Sequence, residues 1–118
     1  MPAAGSLRSH AEDMMRFLEA ALDPPSEQPG PALQLAHTPL GKRRGATSLG
    51  LGWMVLERRR RPTVIWHNGG TWGFRSFAGF VPSAGSAVVV LANTTRGVER
   101  LGFQLAEAAR QPSSPRGR

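Results

Sequence analysis

The chain has 118 residues, 40% of them apolar, no cysteine, and a formal charge of +7. That length holds one domain or part of one, and the apolar content is too high for a wholly disordered chain. Disulfide frameworks and thiolate metal sites are excluded, and no apolar run approaches the ~18 residues that cross a bilayer.

Residues Met1 to Ser6 carry neither the basic nor the apolar stretch of a signal peptide. A helix is predicted from Ser9 to Leu22. Ser9-His10-Ala11-Glu12 fits a capping box, and Glu12 and Asp13 suit the positive end of the helix dipole. Ala11, Met14, Met15, Leu18, Ala21 and Leu22 form one apolar stripe, read as core packing rather than a partner groove. His10 reads as an exposed first-turn residue without a role. Asp23-Pro24-Pro25 stops the helix, because proline disfavours helix in the residue before it. Ser26 to Ala46, with Pro29, Pro31 and Pro39, reads as a long surface loop. His37 lies in it without an acidic or histidine neighbour at ligand spacing, which argues against a metal.

The pattern then changes to strands. Leu51 to Leu56 is one, Arg58 to Pro62 a turn, and Thr63 to Trp66 the return. Trp66-His67-Asn68-Gly69-Gly70-Thr71-Trp72-Gly73-Phe74 follows. It reads as a glycine-rich turn, in which glycine permits positive φ and lets another group approach the main chain. Phe74 to Val81 alternates, with Phe74, Ser76, Ala78 and Phe80 on one face and Arg75, Phe77, Gly79 and Val81 on the other. After a turn at Pro82 to Gly85, Ala87 to Ala92 is apolar on both faces and reads as a central strand. Thr94 or Thr95 is expected to cap a last helix, with Val98, Leu101, Gly102, Leu105, Ala108 and Ala109 inward, ending near Arg110. Residues 1–110 are the structured part, and Gln111 to Arg118 is expected to be a disordered tail. The fold class is α+β: an antiparallel sheet of four sequential strands flanked by helices.

Seven basic residues lie in two runs, Lys42-Arg43-Arg44 and Arg58-Arg59-Arg60-Arg61, both in expected loops. Lys42 is the single lysine, so the excess reads as compositional bias and solvated loop charge, which argues against a nucleic-acid partner. No membrane partner, metal or cofactor is expected.

Four pieces, in order, resemble the serine β-lactamase/penicillin-binding-protein-like family, which holds class C β-lactamases, D-alanyl-D-alanine peptidases and related esterases. Ala4 to Leu18, with Ala11-Glu12-Asp13-Met14 and Phe17, resembles the family's helix segment. Gly50-Leu51-Gly52-Trp53 is similar to a strand motif, His67 to Phe74 to the third catalytic box with its Lys/His-x-Gly core, and Leu91-Ala92-Asn93 to a strand end. The resemblance spans roughly Pro2 to Ala109. It implies a partial β-lactamase/transpeptidase-like fold and acyl-enzyme hydrolysis of a β-lactam, a D-amino-acid peptide or an ester. It makes His67 and Gly70 catalytic, His67 as a donor to the substrate and Gly70 as one N–H of the oxyanion hole. Asn68, Gly69 and Thr71 would be substrate-binding.

The chain departs from the family where the nucleophile belongs. Ser-x-x-Lys requires a lysine, yet Pro39 stands three residues before Lys42, and there is no tyrosine for the Tyr-x-Asn box. The expectation is a C-terminal fragment, inactive alone and marginally folded. It would carry an exposed strand edge open to self-association, and take a substrate only when completed by an N-terminal region. The alternatives are a small basic nucleic-acid-binding module using the Arg runs, or a chain that complements a separate N-terminal half. The compartment is not legible in the sequence.

Overall fold

In a computed structural model that describes residues 4–41 and 44–109, the first helix, α1, runs over Ala11–Leu22. His10, not Ser9, is its cap. His10 Nδ1 accepts from the Asp13 N–H at 3.4 Å, while Ser9 Oγ donates to the His10 carbonyl. Leu18 and Ala21 are buried, Met14, Met15 and Leu22 are half-buried, and Ala11 is exposed.

The expected long loop is interrupted by α2, Gly30–Ala36. Seven residues are too few for a legible period. Packing selects this turn of helix: a Cβ on buried Gly30 would stand 1.6 Å from the Pro25 carbonyl oxygen, so the chain returns hard against the end of α1. His37, just past α2, is buried with its ring edge-on to Trp53 and Phe80 at 5.2 and 4.9 Å between centroids. Its Nε2 has no hydrogen-bond partner. Burial holds the His37 pKa below its usual 6.5. As pH falls, the unfolded chain therefore takes up a proton before the folded ring does. The His37 contribution to stability is present above 6.5 and lost progressively below it, until the folded ring itself protonates. Urea midpoints are expected to fall as pH drops from about 7.5 to about 5, and His37→Leu should flatten that slope.

The sheet has five antiparallel strands in sequence order: β1 Thr47–Leu49, β2 Met54–Leu56, β3 Val64–Thr71, β4 Phe74–Val81 and β5 Ser86–Ala92. β1 is the strand that the sequence pattern does not reveal, and β2 is shorter than expected. β5 is covered on both faces yet stands at the sheet's edge rather than its centre. Helices lie on both sides, so an unbroken apolar strand reports two covered faces and says nothing of neighbours.

Helix α3, Glu99–Ala108, closes the described chain. The expected disordered tail, residues 111–118, lies outside the described residues. Neither threonine caps α3. Val98 is the cap residue without a side-chain bond, and Thr94 Oγ1 accepts from the Arg96 N–H within the preceding loop.

The strand alternation divides the core in two. On the α3 face, Val64, Phe77, Val81, Val88, Val98 and Ala106 pack together. On the α1 face, Leu18, Ala21, Val55, Ile65 and Phe80 do so. α3 is rotated relative to the expected stripe: Val98, Gly102 and Ala106 face inward while Leu101 and Leu105 are 47% and 42% exposed. The reason is Phe77. A Cβ on Gly102 would lie 2.3 Å from Phe77 Cγ, so the one glycine of the helix is where it meets the sheet.

Candidate active site

The stretch from His67 to Thr71 is strand, not turn. It pairs with β4 through Gly69↔Ser76, Gly70↔Arg75 and Thr71↔Phe74, and Trp72-Gly73 alone make the reversal. Neither Gly69, Gly70 nor Gly73 has positive φ. What glycine provides here is room. A Cβ on Gly69 would stand 2.6 Å from Ser76 Oγ, and one on Gly70 2.8 Å from an Arg75 guanidinium nitrogen.

β3 outruns its other neighbour. β2 pairs with Val64 to Trp66 and stops, so residues 67–71 have β4 on one side and, among the described residues, no strand on the other, which leaves an open edge. The hydrogen-bond phase says which groups face that edge. Glu57 N donates to Ala46 O, and Gly50 N to Trp53 O. Bonded pairs alternate in an antiparallel ladder, so Val55 bonds towards β1 while Met54 and Leu56 bond towards β3. Their partners Trp66 and Val64 therefore face β2. Two and four residues beyond Trp66, Asn68 and Gly70 direct their N–H and C=O groups the same way, into the open edge.

Side chains alternate across the strand. His67, Gly69 and Thr71 share the α1 face with Ile65, while Asn68 and Gly70 share the α3 face with Trp66. The predicted five residues are thus contiguous but not convergent. His67 is exposed, and its Nδ1 lies 2.6 Å from the Asn68 carbonyl oxygen. A carbonyl can only accept, so Nδ1 carries the hydrogen and Nε2 is free to act. Beside it a cleft of about 270 Å³ is lined by Leu49, Gly50, Gly52, Trp53, Met54 and His67. A larger, shallow hollow of about 370 Å³ lies by His37, Pro39 and Pro82, away from this edge.

Asn68 is occupied behind the sheet. Its Nδ2 donates to Glu99 Oε1 at 2.7 Å, fixing the first turn of α3 to β3. That bond, then the backbone N–H of Glu99 and the charge of Arg75, hold the Glu99 carboxyl below the usual carboxylate range. Arg75 Nη1 also donates to the Thr71 and Phe74 carbonyls at 2.9 and 3.0 Å, bracing the hairpin. Glu99 and Arg75 were not legible as site residues, because their relation to Asn68 exists only once α3 is docked.

On the α1 face, helix α1 stops short of the hairpin. Phe74 and Leu91 are 61% and 47% exposed there, and Trp72 at the tip is fully exposed. Among the described residues no group of three or more His, Asp or Glu could hold a metal ion.

A model of the β-lactamase family matches residues 1–111. The octameric penicillin-binding protein homologue from Pyrococcus abyssi is similar in structure, with a TM-score of 0.73 at 18% identity, over 83% of this chain and 24% of that one. This chain therefore spans about a quarter of that homologue's length. No curated protein matches the sequence. The helices on either face of an antiparallel sheet agree with that shared fold, and with a family model matching residues 1–111 the chain belongs to the β-lactamase family.

Proposed function

We propose that this chain supplies one wall of a serine-hydrolase active site: the third catalytic box and one half of an oxyanion hole. The observation that carries the reading is the open edge of β3, where the ladder phase directs the Gly70 N–H outward beside His67. In acyl transfer the attacked carbonyl oxygen gains negative charge, and a fixed N–H aimed at it lowers the barrier. His67 Nε2 would hold the substrate's carboxylate or hydroxyl network, and Thr71 would line the same face. Gly69 keeps that face low enough for a substrate to lie along the strand. Asn68 acts as a positioning residue, bonded to α3 rather than to substrate.

The attacking group is the missing part. Without the Ser-x-x-Lys pair and the tyrosine box, a donor alone gives little catalysis, because nucleophile and base work as a unit. The substrate, a β-lactam, D-amino-acid peptide or ester, would be turned over only after completion by a nucleophile-bearing region. The uncovered α1 face and the β5 edge are the surfaces that region would occupy, whether it is upstream or a separate chain. In isolation the same surfaces favour self-association, since β5 has no charge, proline or bulge to block strand addition. The purified chain is expected to leave nitrocefin and p-nitrophenyl esters intact, resist fluorophosphonate labelling, and sediment as more than a monomer. Hydrolysis with covalent labelling, or a monomer that unfolds sharply, would overturn the reading.

A further inference from the structure

Arg44 and the run Arg58 to Arg61, separate in sequence, come to one end of the sheet. β1 starts three residues after Arg44 and β2 ends two before Arg58, and Thr47 and Val64 flank Leu56 on adjacent strands. The entry to β1 and the β2–β3 turn therefore leave the sheet at the same end, joined by the bond from Glu57 N to Ala46 O at 2.8 Å. The last turn of α3 arrives there too. Glu107 accepts from Arg58 Nη2 at 2.6 Å and Arg61 Nη1 at 3.1 Å, which holds its carboxyl below the usual range.

Of the ten described basic residues, five (Arg44 and Arg58 to Arg61) lie at this end, with two of the eight acidic ones, Glu57 and Glu107. The other described residues are five basic and six acidic, so the described surplus of positive charge belongs to this end. Glu107 answers Arg58 and Arg61. Among the described residues Arg44, Arg59 and Arg60 are exposed and form no ion pair. Arg60 sits at φ 62°, in the left-handed region.

We propose that this end of the sheet binds the phosphate backbone of duplex nucleic acid, without reading sequence. The guanidinium fork matches phosphate oxygens, and such binding rests on charge. Two features favour a duplex over other polyanions. Trp66, Phe77 and Phe103 pack together in the core, so among the described residues they offer single-stranded bases no aromatic platform at this end. The most exposed aromatic residues, Trp72 and Phe74, lie at the opposite end of β3 and β4, and the partly exposed Leu105 in the last turn of α3 is too little for a membrane-surface site, which needs a broad apolar face beside the basic groups.

The test is a titration of the full chain into a short fluorescein-labelled DNA duplex of arbitrary sequence, followed by anisotropy between about 50 and about 200 mM salt. Affinity should fall steeply with salt. With Arg59→Gln and Arg60→Asn together, two phosphate contacts are lost, and the fall across that range should shrink about tenfold. Asparagine tolerates the left-handed backbone at position 60. Arg8→Gln with Arg16→Gln, the same charge removed from residues outside this group, should leave the slope unchanged. The proposal fails if the duplex does not bind at the lowest salt, or if the Arg59/Arg60 variant keeps the parent slope. It fails too if the Arg8/Arg16 variant loses as much, or if anionic phospholipid vesicles bind while the duplex does not.

Discussion

Replacing Phe77 by alanine is expected to cost this fold about 3–5 kcal/mol, the range for truncating a fully buried aromatic side chain. Phe77 has no exposed surface and stands where three elements meet. Its ring stacks on Trp66 at 5.7 Å and meets Phe103 of α3 edge-on at 5.2 Å. An ordinary domain has only about 5–15 kcal/mol in total, and a chain with an open strand edge and a half-bare sheet face should lie at the low end. The Phe77→Ala chain is therefore expected to lose its urea transition or shift it well below the parent's, followed through tryptophan fluorescence; a variant that kept the parent midpoint would contradict this packing. Gly102 tests the same contact from the helix side. An alanine there meets Phe77 rather than space, and the overpacking, about 1–3 kcal/mol, outweighs the ~1 kcal/mol that alanine gains over glycine in helix propensity. Gly102→Ala in a Phe77→Leu background should be milder than the two changes summed, since one relieves the crowding of the other.

That contact also explains what the sequence could and could not reveal. α1 was legible because its stripe is long and its stop, Pro24-Pro25, is unambiguous. The faces of β4 were legible because a period of two survives any tertiary arrangement. The rotation of α3 was not: Leu101 and Leu105 are the stronger hydrophobes, but the sheet needs a glycine opposite Phe77, and shape outranked hydropathy. β1 and α2, at three and seven residues, are too short to carry a period and exist through their neighbours.

The His–Gly stretch misled for a related reason. Glycines signal a turn when only local preference is weighed, yet Gly69 and Gly70 lie in extended backbone paired with β4, and glycine stands there because Ser76 and Arg75 fill the space a side chain would need. The residues of the candidate site were legible by resemblance, and their division between two faces followed only from the register. The two basic runs looked like unrelated loops for the same reason: nothing local to Arg44 or Arg58 records that their strands are neighbours.

The largest effect on activity should come from Gly70→Pro, measured with this chain joined to the nucleophile-bearing region of a family member. Proline removes one N–H and little else at a strand edge whose N–H faces outward. Gly69 before it is already extended, as a residue preceding proline must be. The atoms nearest to a Cβ at Gly70 belong to the flexible Arg75 side chain. If the Gly70 N–H is an oxyanion-hole donor, kcat should drop about 10²–10³-fold, or about 3–4 kcal/mol of barrier, with the fold retained. Gly69→Pro, one residue earlier, should do the opposite. In the ladder phase set by the β1–β2 bonds, the Gly69 N–H points to β4, opposite Ser76. Its removal breaks a central rung, and the ring would press on Ser76, so stability should suffer before chemistry does. The contrast separates the site from the scaffold by a single residue. Were Gly70→Pro to unfold the protein and Gly69→Pro to leave it folded, the edge would be reversed, and the Gly70 N–H could not be the group that meets the developing oxyanion.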